Sequence, residues 1–371
     1  MLNRRVLRVK VVQYLYAYKQ CERANVDVVK EQLDEQFTPD LFLNPDADKE
    51  KLGEQKKQAK DLFGKFFKEP AKFNASAVEE EVADAVKEAL AEYARMNQRD
   101  QKNMRNMMLK NINQILMNAG QILQLLYWFK RQDTQNDPLL FKENKALMHL
   151  EEHQALRVLV NRTPIDWQRY ASDVKPWLKS LGMPELEKKE NETGFEYNLR
   201  ILQHVVSEQI MKDERFNDFF EERDINWQEN KKMTRSLLNK LFDNFKEDTD
   251  QSDDLLEFDV EEEMEFIGNL YDHTLANESI YEEYISSKTK NWELDRLAFM
   301  DQVILKTALG EMTYFYNIPV KVSINEYIDI AKRYSTQKSK KFVNGLLDSL
   351  SQELQENGLI RKSGRGLIDN R

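Results

Sequence analysis

Four histidines and one cysteine are the side chains here best suited to metal binding or nucleophilic chemistry. His149-Leu-Glu-Glu-His153 has the spacing of an inverted zinc-protease pattern, in which two histidines on one helical face hold Zn²⁺ and Glu152 serves as base. The match is short, the chain has 65 acids, and no third ligand stands out. Two exposed histidines on a charged helix are the simpler expectation, and no metal ligand is assigned. Cys21 is far in sequence from His149, His153, His204 and His273, so it reads as a packing or surface thiol. A single cysteine rules out an internal disulfide and a Cys-based zinc site, which fits a reducing, cytoplasmic compartment. No phosphate-binding G-x-x-x-x-G-K-[ST], no G-x-G-x-x-G and no G-x-S-x-G occurs. No cofactor is expected.

The chemistry that remains is binding. The first 21 residues hold Arg4, Arg5, Arg8, Lys10 and Lys19 and no acid. A second acid-free run, Lys332 to Lys341, carries Lys332, Arg333, Lys338, Lys340 and Lys341. The tail adds Arg361, Lys362, Arg365 and Arg371 against Asp369, whereas Glu247 to Glu265 holds eleven acids and no base. A net charge of −10 argues against a nucleic-acid binder as a whole, but basic ends on an acidic chain supply local attraction. Lysines and arginines neutralise phosphates, and aromatics such as Tyr14, Tyr16, Tyr18, Tyr334 and Phe342 can stack on splayed bases. Arginines on the opening turn of a helix add backbone donors and the positive end of its dipole. For one cationic platform to form, folding must bring the two runs together.

The elements that carry these groups read as helices. With 11 Gly and 8 Pro in 371 residues, a barrel or sandwich is disfavoured, and the expected class is all-α. No run reaches the ~18 apolar residues of a membrane span, and the opening stretch is too interrupted for a signal peptide. Leu7, Val11, Tyr14 and Tyr18 form one helical stripe, and Val82, Val86, Leu90 and Tyr93 form another. Residues 38–58 read as a loop with two prolines, and Asp248–Asp254 as an acidic linker. Three stretches ending at Trp167, Trp227 and Trp292 share a short helix, a turn and a tryptophan. They suggest tandem helical units stacked on one another, with the tryptophans as packing residues and Asp166, Asn226 and Asn291 as N-caps. Near the end, Ile304, Leu305, Ala308, Leu309 and Met312 form a buried stripe. Ser323 and Glu326 suggest a capping box, with Val322 and Tyr327 as a hydrophobic staple. The last helix shows Val343, Leu347, Leu350 and Leu354 at heptad spacing and stops at Gly358.

The stretch from Ile318 to Leu350, IPVKVSINEYIDIAKRYSTQKSKKFVNGLLDSL, resembles the C-terminal signature of the NusB family of bacterial transcription antitermination factors. RRVLRVKVVQYLYAYKQ resembles that family's opening, and ELDRLAFMDQVILKTALGEM and EMEFIGNLYDHTLANESIYEEYI also fit. The resemblance covers roughly the first 35 and last 110 residues. It divides the chain into 1–37 and 256–357 as parts of a NusB-like core, 38–255 as a helical insertion with internal repeats, and 358–371 as a basic tail. A long form of this kind is associated with the Bacteroidetes group. The resemblance implies a helical bundle of two subdomains that is not an enzyme and that binds boxA-type single-stranded RNA with the ribosomal protein NusE. It then joins the RNA polymerase antitermination complex on ribosomal RNA operons. By position, it implies an RNA face of Arg4, Arg5, Arg8, Lys321, Lys338, Lys341, Phe342 and Asn344. It implies a protein-partner face of Tyr16, Tyr18, Asp295 and Asp301, where acids suit a basic ribosomal protein. Lys338 stands where some members have an acid. The rival reading is a helical protein-docking scaffold without direct RNA recognition.

Overall fold

A computed structural model describes residues 4–39, 48–133, 135–163, 165–249, 260–288, 298–336 and 339–368. Among them the regular structure is helical, without strands. In chain order the α-helices are α1 (Arg4–Gln36), α2 (Lys49–Phe66), α3 (Glu80–Gln132), α4 (Lys145–Glu152), α5 (Gln154–Arg162), α6 (Ala171–Ser180) and α7 (Gly194–His204). They continue as α8 (Glu214–Glu221), α9 (Trp227–Asn244), α10 (Val260–Ala276), α11 (Glu278–Lys288), α12 (Phe299–Tyr314), α13 (Val320–Tyr334) and α14 (Ser339–Glu356). No described helix is long and apolar enough to cross a membrane. The chain divides into two compact units, Met1–Val9 with Leu109–Asn269 and Lys10–Met108 with Leu270–Arg371.

In the first unit α4 packs on α7, α7 on α9, and α8 on α9. Trp227 is fully buried and stacks on Phe220, with its indole N–H donating to Asn217 Oδ1 at 3.1 Å. Trp167 is also buried, packed against Trp177 and Phe219, and donates to the Gln121 carbonyl at 3.2 Å. Both tryptophans are core residues whose single polar atom finds a partner. Trp292 and Asn291 lie outside the described residues. The expected cap at Asn226 is corrected: its side chain makes no capping bond. The turn before α9 is instead braced by Asp224, whose carboxylate accepts from the Asn226 backbone N–H at 2.9 Å and from the amides of Asn118 and Asn230. The His149–His153 stretch does not share one helix, because α4 ends at Glu152 and His153 is extended. Nor are both rings exposed: His153 is buried against Phe245, and His149 packs on Phe195. Among the described residues no cluster of three or more His, Cys, Asp or Glu could hold a metal ion.

In the second unit the loop expected over residues 38–58 is corrected from residue 49 onward. Asp48 caps α2 by accepting from the N–H groups of Glu50 and Lys51 at 3.1 Å. The helix then buries Ala59 and Phe63 against Val29 and Leu33 of α1 and Val82 and Val86 of α3. Its sequence is mostly polar, so the burial of a few residues against two neighbours, rather than periodicity, makes it helical. The capping box at Ser323 is also corrected. Helix α13 begins one turn earlier, after Pro319, whose carbonyl accepts from the N–H groups of Val322 and Ser323. Ser323 therefore lies inside the helix, buried, and donates its hydroxyl to Glu311 at 2.6 Å.

Helix α12 explains that shift. From Val303 to Met312 every residue is buried. An α-helix enclosed on all sides must be apolar or must pair its charges internally. Lys306 donates to Glu278 at 2.5 Å and Glu282 at 2.6 Å. Glu311 accepts from Ser323 and from the Tyr327 hydroxyl at 3.2 Å, and Asp301 accepts from the Ser339 hydroxyl at 2.6 Å. Gly310 lets α10 come close, since a Cβ there would lie 2.5 Å from Thr274 Oγ1. Lys19 of α1 joins the network through Glu278 at 2.7 Å and through Glu22. Burial alone would raise the Glu278 carboxyl, but the ammonium groups of Lys19 and Lys306 outweigh it and hold it below the usual carboxylate range.

Two outcomes follow from this packing. Below about pH 4.5, the ordinary value for this carboxyl, the unfolded chain binds more protons than the native one. The Glu278 contribution is therefore complete above that pH and is lost as the pH falls through the depressed native value. Denaturant titrations between pH 3 and 7, the range bracketing the ordinary glutamate value, should show a drop in stability that Glu278→Gln flattens. Asp301→Ala leaves the buried Ser339 hydroxyl without this acceptor and should cost roughly 1–3 kcal/mol, measured as a lower denaturation midpoint with an unchanged m-value.

Candidate nucleic-acid interface

The arginines at the start of α1 belong to the first unit and are held in different ways. Arg4 pairs with Glu262 of α10 at 2.8 Å, and its guanidinium lies 5.2 Å from the centre of the Phe266 ring. Arg8 lies 5.8 Å from the same ring and is only 3% exposed, a position no spacing argument anticipates. Arg5 is the exposed member of the three. Helix α1 has no acid in its first turn, so its positive dipole end and Arg5 favour an anion in the same place. Beside them Glu263 is buried, and that burial raises its carboxyl above the usual range despite the nearby Arg4.

In the second unit α13 and α14 pack on one another and on α12. Their inward stripes are apolar: Ile324, Tyr327 and Ile330 on α13, Val343, Leu347, Leu350 and Leu354 on α14. What the stripes leave outward is polar. Lys321 and Asn325 are exposed one turn apart on α13. Lys341 and Asn344 are exposed on α14, and Phe342 beside them is half-buried. The two helices enclose an open groove of about 480 Å³ lined by Asn325, Ile328, Asp329, Lys340, Lys341 and Asn344. Of the residues expected to bind RNA, Lys341 and Asn344 thus share one groove, with Lys321 a turn before Asn325. Lys338 lies outside the described residues. Lys340, Asn325 and Asp329 are the polar lining residues not singled out as site residues. Their i, i+4 relation opposite the buried stripe was the available signal. The groove offers ammonium groups for phosphates, amides for base edges and one carboxylate that accepts from amino groups.

The residues expected to meet a protein partner are also in the second unit. Tyr16 is half-buried, its ring 5.1 Å from that of Phe299 at the start of α12, and Arg23 stacks on the other ring at 3.7 Å. Tyr18 is buried; burial and the neighbouring Glu22 push its hydroxyl well above the usual tyrosine range. Asp301 is buried and faces Ser339, so its charge points into the fold. Asp295 lies outside the described residues.

Residues 232–352, spanning most of α9 through most of α14, match the NusB family. Three curated relatives are each described as transcription antitermination protein NusB. The one from Chloroherpeton thalassium is 46% identical over 105 residues, 28% of this chain and 50% of the relative. The one from Salinibacter ruber is 41% identical over 104 residues, 28% of this chain and 65% of the relative. The one from Natranaerobius thermophilus is 37% identical over 92 residues, 25% of this chain and 66% of the relative. The matched part therefore takes in between half and just under two thirds of the curated relatives' lengths. A solved structure of T. maritima NusB is 26% identical and aligns over 42% of this chain and 91% of that chain, with a TM-score of 0.25. Residues 232–352, which hold the α13–α14 groove, are thus the part of this chain that matches the NusB family.

Proposed function

We propose that this protein is an RNA-binding transcription antitermination factor. It binds boxA-type single-stranded RNA together with the ribosomal protein NusE and acts with RNA polymerase on ribosomal RNA operons. The observation that carries this reading is the groove between α13 and α14, where Lys340, Lys341, Asn325 and Asn344 converge inside the family-matched residues. Lysines there neutralise phosphates while the amides and the half-buried Phe342 meet bases, the division of labour expected for single strands. Arg5 at the start of α1, with Arg4 and Arg8 behind it, supplies a second phosphate contact. Tyr16 and the start of α12 supply the NusE-facing surface, and Asp301 supports that surface from inside. The chemistry is recognition, with no bond made or broken by the protein.

A second reading has its own support. Arg4 is already paired with Glu262, and Arg8 is buried, so both are engaged within the fold. That suits a helical docking scaffold whose partners bind without RNA.

Filter binding with boxA-like RNA across a salt series, with and without NusE, separates the two. RNA binding should fall with salt, and Lys340→Ala/Lys341→Ala should reduce the slope of log K against log salt by about 1.4, near 0.7 per phosphate contact. Arg5→Ala should reduce it by about 0.7 on the same basis. Partner binding that RNA neither needs nor strengthens, with no measurable RNA retention, would instead establish the scaffold.

A further inference from the structure

The chain continues past the family-matched residues into a segment with a defined seat. Helix α14 ends at Glu356, and the turn after it holds Gly358 at a φ of +71°, a backbone state that glycine adopts without strain. The N–H groups of Leu359 and Ile360 close the helix by donating to the Leu354 carbonyl at 2.9 and 3.1 Å. The tail then crosses the turn between α12 and α13. Ser363 N–H donates to the Tyr316 carbonyl at 3.0 Å, and the Lys362 ammonium donates to the Phe315 carbonyl at 2.9 Å. Gly366 is in such close contact that a Cβ there would lie 2.1 Å from the Tyr316 oxygen. Ile360 is buried beneath. Its bond to the Phe315 carbonyl makes Lys362 an anchor, and burial pushes its ammonium down to about 8, against the pull of Glu311.

This seat brings together two stretches without acids, 312–325 and 357–368, in a protein of net charge −10. Their outward side chains are of two kinds. Tyr316 is 52% exposed and Tyr314 is 40% exposed, the latter backed by the His273 ring at 4.8 Å. Arg361 and Arg365 are exposed on the tail, next to the Tyr316 backbone, and Lys321 is exposed on the first turn of α13. Large aromatic rings left open to water beside exposed cations are costly for solubility and suited to a ligand that has flat faces and anionic links. An acidic peptide would use the cations but leave the tyrosine faces unmatched.

We propose that Tyr316, Tyr314 and the Arg361–Arg365 tail form a further binding surface for single-stranded RNA, with a base stacked on Tyr316 and adjoining phosphates at Arg361 and Arg365. The inference rests on the RNA-binding reading above and lengthens the RNA contact beyond the family-matched residues. Lys321 lies one turn before Asn325 of the groove, on the side of this turn.

The test uses the full chain and a fluorescein-labelled oligouridylate, with anisotropy read across a salt series. Tyr316→Ala should weaken binding about tenfold, as loss of one stacked base does, whereas Tyr316→Phe keeps the ring and should bind as the unaltered chain does. Arg361→Ala/Arg365→Ala should lower the salt slope by about 1.4. Thermal melts of each variant should match the parent, since all three side chains are exposed. Tail variants that bind with unchanged affinity and slope, while Arg5→Ala still weakens binding, overturn this inference alone. An unaltered chain that does not bind RNA overturns it together with the proposed function.

Discussion

The second unit depends on the enclosure of α12. A helix buried along its whole middle length has no solvent to neutralise its charges, so each must find a partner within the fold. Lys306 is met by Glu278 and Glu282, Glu311 by Ser323 and Tyr327, and Asp301 by Ser339. These pairs fix three neighbours at once, because the partners lie on α11, α13 and the first residue of α14. Replacing such pairs by apolar residues can cost little, but breaking one leaves a buried charge uncompensated, so the pairs specify geometry more than they add stability.

That geometry positions the proposed site. With Ser323 and Tyr327 turned toward Glu311, Asn325 and Asp329 must lie on the other face of α13. With Ser339 turned toward Asp301, Lys340, Lys341 and Asn344 face out from α14. The groove is thus the outward side of a polar arrangement whose inward side is α12. The tail acts similarly at the end of α12, where its bonds to the carbonyls of Phe315 and Tyr316 hold the turn with Tyr316 outward.

The first unit follows a different rule. Its centre is aromatic, with Trp167, Trp177, Phe216, Phe219, Phe220 and Trp227 in mutual contact, and its polar core is the Asp224 carboxylate bonded to two asparagine amides. Short helices joined by turns gain little from propensity alone, so large rings supply the burial and a shared carboxylate sets the turn. The same unit places Arg4 against Glu262 and Arg8 over Phe266, so α10 engages both of these arginines.

Periodicity in the amino-acid order was enough to establish the helical class, the buried stripes of α1, α3, α12 and α14, Trp167 and Trp227 as core, and the stop at Gly358. Each depends on interactions within a few residues or on a repeat of 3.6. The residues quoted from Ile318 to Leu350 carried the family resemblance, and the family match later covered them. Other features were decided by tertiary contacts. Helix α2 forms because α1 and α3 cover Phe63, which its polar composition did not announce. Ser323 resembles a cap by spacing yet bonds to a carboxylate twelve residues away, because burying Glu311 requires a donor there. Asp301 and Arg8 read as surface charges and are enclosed, since exposure depends on what packs opposite, and local spacing carries no record of that.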